Sequence, residues 1–81
     1  MKWIITKDLL DGADTGYGNH RGELDELPHV FRLLDDDGIA YYEGRSDDNS
    51  SEDAFEPLDW AAAHAGCTEI QYRNGGRWET L

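Results

Sequence analysis

The apolar residues of the chain fall into short runs, and most of these runs have the length and the alternation of β-strands. The first run covers residues 2–6, is rich in aromatic and β-branched residues, and predicts a strand with Trp3 and Ile5 on one face. In the residues that follow, 8–28, four glycines are interleaved with aspartate and asparagine. This composition predicts a long irregular connection, and connections of this length are usually functional or mobile.

Two further strand-like runs, 29–34 and 39–43, are separated by Asp-Asp-Asp-Gly at residues 35–38. An Asp-Gly pair between apolar runs favours a type I′ hairpin turn, in which both central residues have positive φ. If Asp37 and Gly38 are these two residues, the predicted cross-strand pairs are Arg32 with Glu43, Leu33 with Tyr42, and Leu34 with Tyr41.

A second hairpin is predicted near the end of the chain, where residues 67–73 and 77–81 flank Asn74-Gly75-Gly76. A three-residue loop at this point sets Tyr72 opposite Trp78. Because turn residues and strand-like runs alternate here as they do around residues 35–38, the two hairpins are similar in kind.

One short helix is predicted between the hairpins. Pro57 suits the first helical position because its φ is fixed, and residues 58–65 are good helix formers. Gly66 suits the position just after the last helical residue. The stretch before the helix, 46–54, is almost entirely polar and is predicted to be a flexible acidic loop.

Together these elements predict an α+β fold, in which a small antiparallel β-sheet of about five strands carries one short helix on one face. The strands are the two hairpins and the N-terminal strand. A length of 81 residues is enough for one modest core. The whole chain, 1–81, is therefore predicted to be a single acidic α+β domain.

Charge narrows the classes of partner. The chain has 18 acidic and 7 basic residues and a formal net charge of −11, which repels the phosphates of nucleic acids and of anionic lipids. Direct nucleic-acid binding and membrane binding are therefore not expected. The single cysteine cannot form an internal disulfide, and no leader or long apolar run is apparent, which together predict a cytoplasmic protein.

The acidic loops invite a calcium-binding interpretation, but their spacing does not fit the EF-hand. The oxygen-bearing residues that alternate suitably are Asp47, Asn49, Ser51 and Asp53. However, Glu52 stands where that loop needs glycine and Leu58 where it needs glutamate. A solvated acidic loop is the favoured interpretation, and no metal or other cofactor is predicted. An acidic calcium-binding module is kept as the alternative function.

Catalysis is not expected from the residues that could support it. His64 and Cys67 are three residues apart, but a reactive thiolate needs cationic neighbours or a helix N-terminus, and Cys67 follows a helix C-terminus in an acidic chain. A half-buried structural cysteine is the favoured interpretation. With 18 carboxylates in the chain, the closeness of any two of them is uninformative.

The remaining signal is a negatively charged surface that attracts positively charged partners. Among the aromatic residues that a sheet leaves exposed, Tyr41 is the best candidate for an anchor. The predicted partner-binding residues are Tyr41 and the acidic residues Asp35, Asp36, Asp37, Glu43, Asp47, Asp48, Glu52 and Asp53. The predicted function is a non-enzymatic interaction protein that binds the basic surface of another protein.

Two hypotheses about that surface stay open. The sharper one is that the carboxylates imitate nucleic-acid phosphates and inhibit a nuclease or another nucleic-acid-binding protein. The plainer one is that the charge serves only solubility. Dimerisation is also open, because an antiparallel sheet leaves an unpaired edge strand.

The part of the chain from Phe31 onward resembles a family of small acidic proteins of bacteria and their phages. The segments that carry the resemblance are Asp35-Asp36-Asp37-Gly38, Tyr41-Tyr42-Glu43-Gly44, Phe55-Glu56-Pro57-Leu58, Ala65-Gly66-Cys67-Thr68 and Gly76-Arg77-Trp78-Glu79. Residues 12–22 have no counterpart in it. The resemblance implies the same fold and a phage or mobile-element context, and it brings no assigned activity.

Overall fold

The chain folds into one antiparallel sheet with a helix on one face, as seen in a computed structural model that describes all 81 residues. The strands are β1 (Trp3–Asp8), β2 (Ala13–Gly18), β3 (His29–Leu34), β4 (Ala40–Ser46), β5 (Glu69–Asn74) and β6 (Arg77–Thr80), and the helix is α1 (Glu56–Ala65). Their order across the sheet is β2-β1-β4-β3-β5-β6. Short 3-10 turns cover Leu24–Glu26 and Glu52–Phe55. The predicted α+β fold is confirmed, with one strand more than expected.

The additional strand is β2, which lies in the segment predicted to be irregular. It pairs with β1, with Tyr17 opposite Ile5, and the Thr15 hydroxyl donates a hydrogen bond to the Ile5 carbonyl at 2.7 Å. Gly18 is required at the end of β2, because a Cβ at this position would collide with the Trp3 carbonyl. Pairing with β1 therefore stabilises a strand whose own residues have low β-propensity.

The β3–β4 hairpin has two of the three predicted pairs. Arg32 pairs with Glu43 and Leu33 with Tyr42, but Leu34 pairs with Ala40 because the register shifts after Leu33. Tyr41 lies at that irregularity.

The predicted type I′ turn in this hairpin is wrong, since no residue other than glycine has positive φ. The Asp35 N–H donates to the Ile39 carbonyl at 3.0 Å, and the Gly38 N–H donates to the Asp35 carbonyl at 3.1 Å. The turn is therefore a three-residue loop, 36–38, in which only Gly38 has positive φ, at 79°. The Asp35 carboxylate stabilises this wider loop by accepting hydrogen bonds from the N–H groups of Asp37 and Ile39.

The β5–β6 hairpin is one residue tighter than predicted. Gly75 and Gly76 both have positive φ, at 59° and 84°, and they form a two-residue loop between paired Asn74 and Arg77. Trp78 therefore pairs with Arg73 and not with Tyr72. Since neighbouring strand residues point to opposite faces, Trp78 lies on the face opposite Tyr72.

The core lies between the sheet and the helix layer. The sheet contributes Trp3, Ile5, Phe31, Leu33, Ile70 and Tyr72, and the other layer contributes Ala54, Ala61 and Cys67. The Tyr72 hydroxyl donates a hydrogen bond to the Ala54 carbonyl at 2.8 Å, which joins the two layers. Other α1 residues, Leu58, Trp60 and Ala65, pack against this core.

The helix follows the prediction closely. It begins one residue before Pro57 and ends before Gly66, which has a φ of 73° and so takes the left-handed conformation that ends a helix. Ala61 is fully buried and Ala62 is exposed, so only the first of these two alanines faces the core. At ten residues, α1 is too short to cross a membrane, and no other helix is a candidate.

The loop predicted at 46–54 is solvated only in its middle part. Ser46 is fully buried as the last residue of β4, and its hydroxyl donates to the Asp48 carbonyl at 2.6 Å. Ala54 is buried in the core. The two ends of the acidic segment are therefore anchored to the fold.

Candidate interaction surface

The acidic side chains stay at the surface and have few cationic partners. None of the 18 acidic residues is buried. The only ion pairs join the Met1 amine to Asp53 at 3.8 Å and to Glu56 at 3.3 Å. No lysine or arginine side chain pairs with a carboxylate, so most of the negative charge is exposed to solvent without local neutralisation.

The acidic residues predicted to bind a partner form two groups and one isolated residue. Asp35, Asp36 and Asp37 precede β4, whereas Asp47 and Asp48 follow it. Seven strand residues span about 20 Å, so these groups lie at opposite ends of the sheet. Glu43 lies between them, inside β4 and opposite Arg32.

We call the two ends of the sheet the Asp35 end and the Asp48 end. The Asp35 end is formed by the β1–β2 and β3–β4 turns and contains Asp8, Asp11, Asp14, Asp35, Asp36 and Asp37. The Asp48 end is formed by the start of the chain, the connections β2–β3 and β4–α1 and the β5–β6 turn, and its acidic residues are Glu23, Asp25, Glu26, Asp47, Asp48, Glu52, Asp53 and Glu56. The fold therefore divides the predicted acidic surface into two acidic ends.

Two of the predicted residues also shape the turns that hold them. The backbone N–H groups of Ile39 and Asp37 donate to the Asp35 carboxylate at 2.9 Å, and chiefly the Ile39 hydrogen bond holds the pKa of Asp35 below its ordinary value. Hydrogen bonds from the Ser51 hydroxyl and then the Ser50 N–H similarly lower the pKa of Asp48. Both carboxylates therefore stay ionised at neutral pH while stabilising a turn.

The predicted aromatic anchor, Tyr41, is only partly exposed and packs against the core. Interaction with the Asp35 carboxylate raises the pKa of its hydroxyl. The most exposed aromatic residue is instead Tyr17, which has 54% of its surface accessible. Sequence reasoning missed Tyr17 because it lies in β2, the strand that was not predicted.

Tyr17 is the outer member of an aromatic group centred on Trp60. Its ring centroid lies 5.3 Å from that of Trp60, and Tyr42 approaches Trp60 edge-on at 5.2 Å. His64 stacks on the same indole at 4.8 Å. The edge strand and the helix thus hold these rings at one side of the sheet.

The sheet face opposite α1 carries three of the basic side chains. Arg32, Arg45 and Arg73 each alternate with residues of the helix-covered face. The Arg32 guanidinium lies 4.4 Å from the centre of the Trp78 ring, and Arg73 lies 5.8 Å from it. Arg45 donates to the Leu27 carbonyl at 2.9 Å. Arg32 Nε also donates to the side-chain carbonyl of Gln71 at 2.7 Å, so these cations interact with a ring, a side-chain amide or a backbone carbonyl, and not with the acidic ends.

The residues considered for metal binding and catalysis have other contacts. No group of three or more His, Cys, Asp or Glu side chains is arranged to hold a metal ion. Cys67 is buried in the core, and its burial raises the pKa of the thiol. The Trp60 carbonyl accepts a hydrogen bond from His64 Nδ1 at 2.8 Å. The predicted structural cysteine is therefore more deeply buried than the sequence suggested.

The chain encloses no pocket. Comparison of the chain with family models, with curated proteins and with solved structures finds no match. The resemblance to small acidic proteins of bacteria and their phages therefore stays a prediction.

Proposed function

We propose that this protein is a non-enzymatic interaction protein whose acidic surface binds a basic surface of another protein. In this proposal the partner is a nuclease or another nucleic-acid-binding protein, and the carboxylates occupy the place of nucleic-acid phosphates. The phage or mobile-element context implied by the sequence resemblance is part of the proposal.

The observation that carries the proposal is the lack of ion pairs between the acidic side chains and lysine or arginine. The only cation within 4.0 Å of any carboxylate is the Met1 amine. Carboxylates without local partners add to one negative potential, which attracts and orients a basic surface during association.

The geometry supports a partner with an extended basic surface. The acidic ends are separated by the length of β4, about 20 Å, and Glu43 in β4 and Glu79 in the edge strand β6 lie between them. A basic groove that accommodates a nucleic acid is long enough to meet charges with this separation. A single small cation is not, because no three candidate ligands come together.

Affinity capture from bacterial lysate, with the chain immobilised, tests the proposal. The expected result is capture of a basic nucleic-acid-binding protein that is released by added duplex DNA. Its affinity is expected to fall about tenfold or more when salt rises from low to physiological concentration. Capture that is insensitive to both salt and DNA would contradict the proposed mimicry, and so would the absence of any basic partner.

Paired variants provide the control for charge. Asp36→Asn with Asp37→Asn removes two exposed charges at the Asp35 end, and Glu52→Gln with Asp53→Asn removes two at the Asp48 end. Each pair keeps Asp35 and Asp48, which stabilise the turns. At least one of the two double variants is expected to capture less of the partner. If the charge serves only solubility, both double variants would capture as much as the parent chain.

A further inference from the structure

We infer that the partner is held at the Asp35 end by the aliphatic side chains of Leu9, Leu10 and Ile39. The segment of the partner that fits there is basic and carries aliphatic side chains among its lysine and arginine residues. This inference rests on the proposed function and adds the place and the chemistry of contact.

The three aliphatic residues lie in two adjacent turns. Leu9 and Leu10 follow β1, Ile39 precedes β4, and β1 and β4 are neighbours in the sheet. The Leu9 N–H donates to the Tyr41 carbonyl at 2.8 Å, which fixes the first turn against the start of β4. The accessible fractions are 37% for Leu9, 58% for Leu10 and 53% for Ile39. Grouped exposed aliphatic residues are typical of an interaction site, whereas single ones are not.

The same end of the sheet carries an excess of negative charge. Six aspartates belong to the same end of the sheet, and none of them has an ion-pair partner. Lys7 is the only lysine or arginine in the strand ends and turns that form it. Exposed aliphatic residues and unpaired aspartates in the same two turns favour a partner with the complementary pattern, because apolar contacts supply affinity while the charges guide association.

The Asp48 end is a weaker candidate although it also exposes two large apolar residues, Leu24 at 42% and Phe55 at 39%. Its charge is partly balanced, because the Met1 amine pairs with Asp53 and Glu56. Three further basic residues, Lys2, Arg21 and Arg77, belong to the same end. The Asp35 end therefore has fewer basic groups for each acidic residue than the Asp48 end has.

Two synthetic peptides serve as probes. One is a short peptide of lysine and leucine, and the other has the same length and charge with serine in place of leucine. Isothermal titration at low salt is expected to show binding of both peptides, with the leucine peptide bound about tenfold more tightly. NMR shift changes on adding the leucine peptide are expected to be largest around residues 8–11 and 35–41.

Matched double variants test the contact itself. Leu10→Ser with Ile39→Ser is expected to remove the advantage of the leucine peptide and to leave binding of the serine peptide unchanged. The control, Leu24→Ser with Phe55→Ser, changes two similarly exposed residues at the other end and is expected to keep that advantage. All four positions are exposed, and the amide spectrum of each variant shows whether its fold is kept.

The outcomes separate this inference from the proposed function. If both peptides bind but only the control variant loses the leucine advantage, or neither variant does, the inferred contact is wrong and the proposed function stands. Shift changes centred on residues 47–55 would overturn the inference in the same way. If neither peptide binds at low salt, the proposed function itself is overturned.

Discussion

Gly44 lies in the middle of β4, where the sheet leaves no room for a side chain. It is opposite Ile5 on one side and Phe31 on the other. A Cβ at this position would meet the Ile4 carbonyl oxygen and would come within 2.5 Å of Phe31 Cζ. The close approach of β1 and the Phe31 ring to this glycine thus positions β4, the strand that links the two acidic ends.

The variant Gly44→Ala is expected to lower the free energy of unfolding by about 1–3 kcal/mol, because the added methyl group displaces packed neighbours. Gly16→Ala is the matched control, since Gly16 is also in a strand and has no atom within 4 Å of an added Cβ. Its effect is expected to stay within about 0.5 kcal/mol. Urea denaturation measures both, and equal stabilities would contradict the packing described at Gly44.

The buried hydroxyl of Tyr72 makes the free energy of unfolding depend on pH in the alkaline range. Burial raises the pKa of its hydroxyl from 10.0 to about 12. The folded state therefore holds this proton more tightly than the unfolded state does. The stability that results is fully present below pH 10 and is lost as the pH rises towards 12. Over two pH units the loss is about 3 kcal/mol.

Tyr72→Phe isolates this effect, because the other tyrosines titrate alike in both proteins. At neutral pH the variant is expected to be less stable by about 1 kcal/mol, since it loses the hydrogen bond to the Ala54 carbonyl. Between pH 10 and pH 12 the difference is expected to shrink and then reverse, as measured by urea denaturation at each pH. A constant difference across this range would show that Tyr72 has an ordinary pKa.

At the scale of elements, the parts of the fold that follow from hydrophobic alternation were predictable. The helix, which Pro57 helps to start and Gly66 ends, and the pair of Arg32 with Glu43 could be predicted from local patterns alone. The loop lengths were not predictable in the same way. Asn-Gly-Gly permits loops of two or three residues, and this single-residue difference decides which face Trp78 occupies.

Strand β2 shows where sequence patterns stop being informative. Its residues, Ala-Asp-Thr-Gly-Tyr-Gly, include one aromatic and one β-branched side chain, and two of its positions are glycine. The strand forms because its backbone pairs with β1 and because the Thr15 hydroxyl donates a hydrogen bond to the Ile5 carbonyl. Pairing with a neighbouring strand leaves no signal in the residues of β2 themselves, so the segment is indistinguishable in sequence from a loop.

The β5–β6 turn gives a prediction for a single element. Gly75 has a φ of 59° and open space around an added Cβ, and asparagine tolerates this conformation far better than alanine does. Gly75→Asn is therefore expected to keep the stability of the parent chain. Gly75→Ala is expected to lose about 1 kcal/mol. Thermal unfolding compares the two variants, and greater tolerance of alanine would contradict the two-residue loop.

For the whole molecule, the surplus of acidic charge was predictable from composition, but its arrangement was not. The separation of Asp36 from Asp53 follows from the direction and the length of β4. The exposure of Tyr17 and Leu10 depends on β2 and its turn, which the sequence pattern did not indicate. Tyr41, which lies at the register shift at the start of β4, packs against the core, and neither feature follows from a local sequence pattern.

Both the proposed function and the inferred contact depend on a negative potential concentrated at the two ends of the sheet. Paramagnetic relaxation of amide protons by a cationic and by an anionic nitroxide of similar size measures the potential near each residue. The cationic probe is expected to relax amides around Asp36 and Asp53 much more strongly than the anionic one. The excess is expected to be smaller around Arg32 and Arg73 on the sheet face opposite α1. An equal ratio over the whole surface would contradict the account.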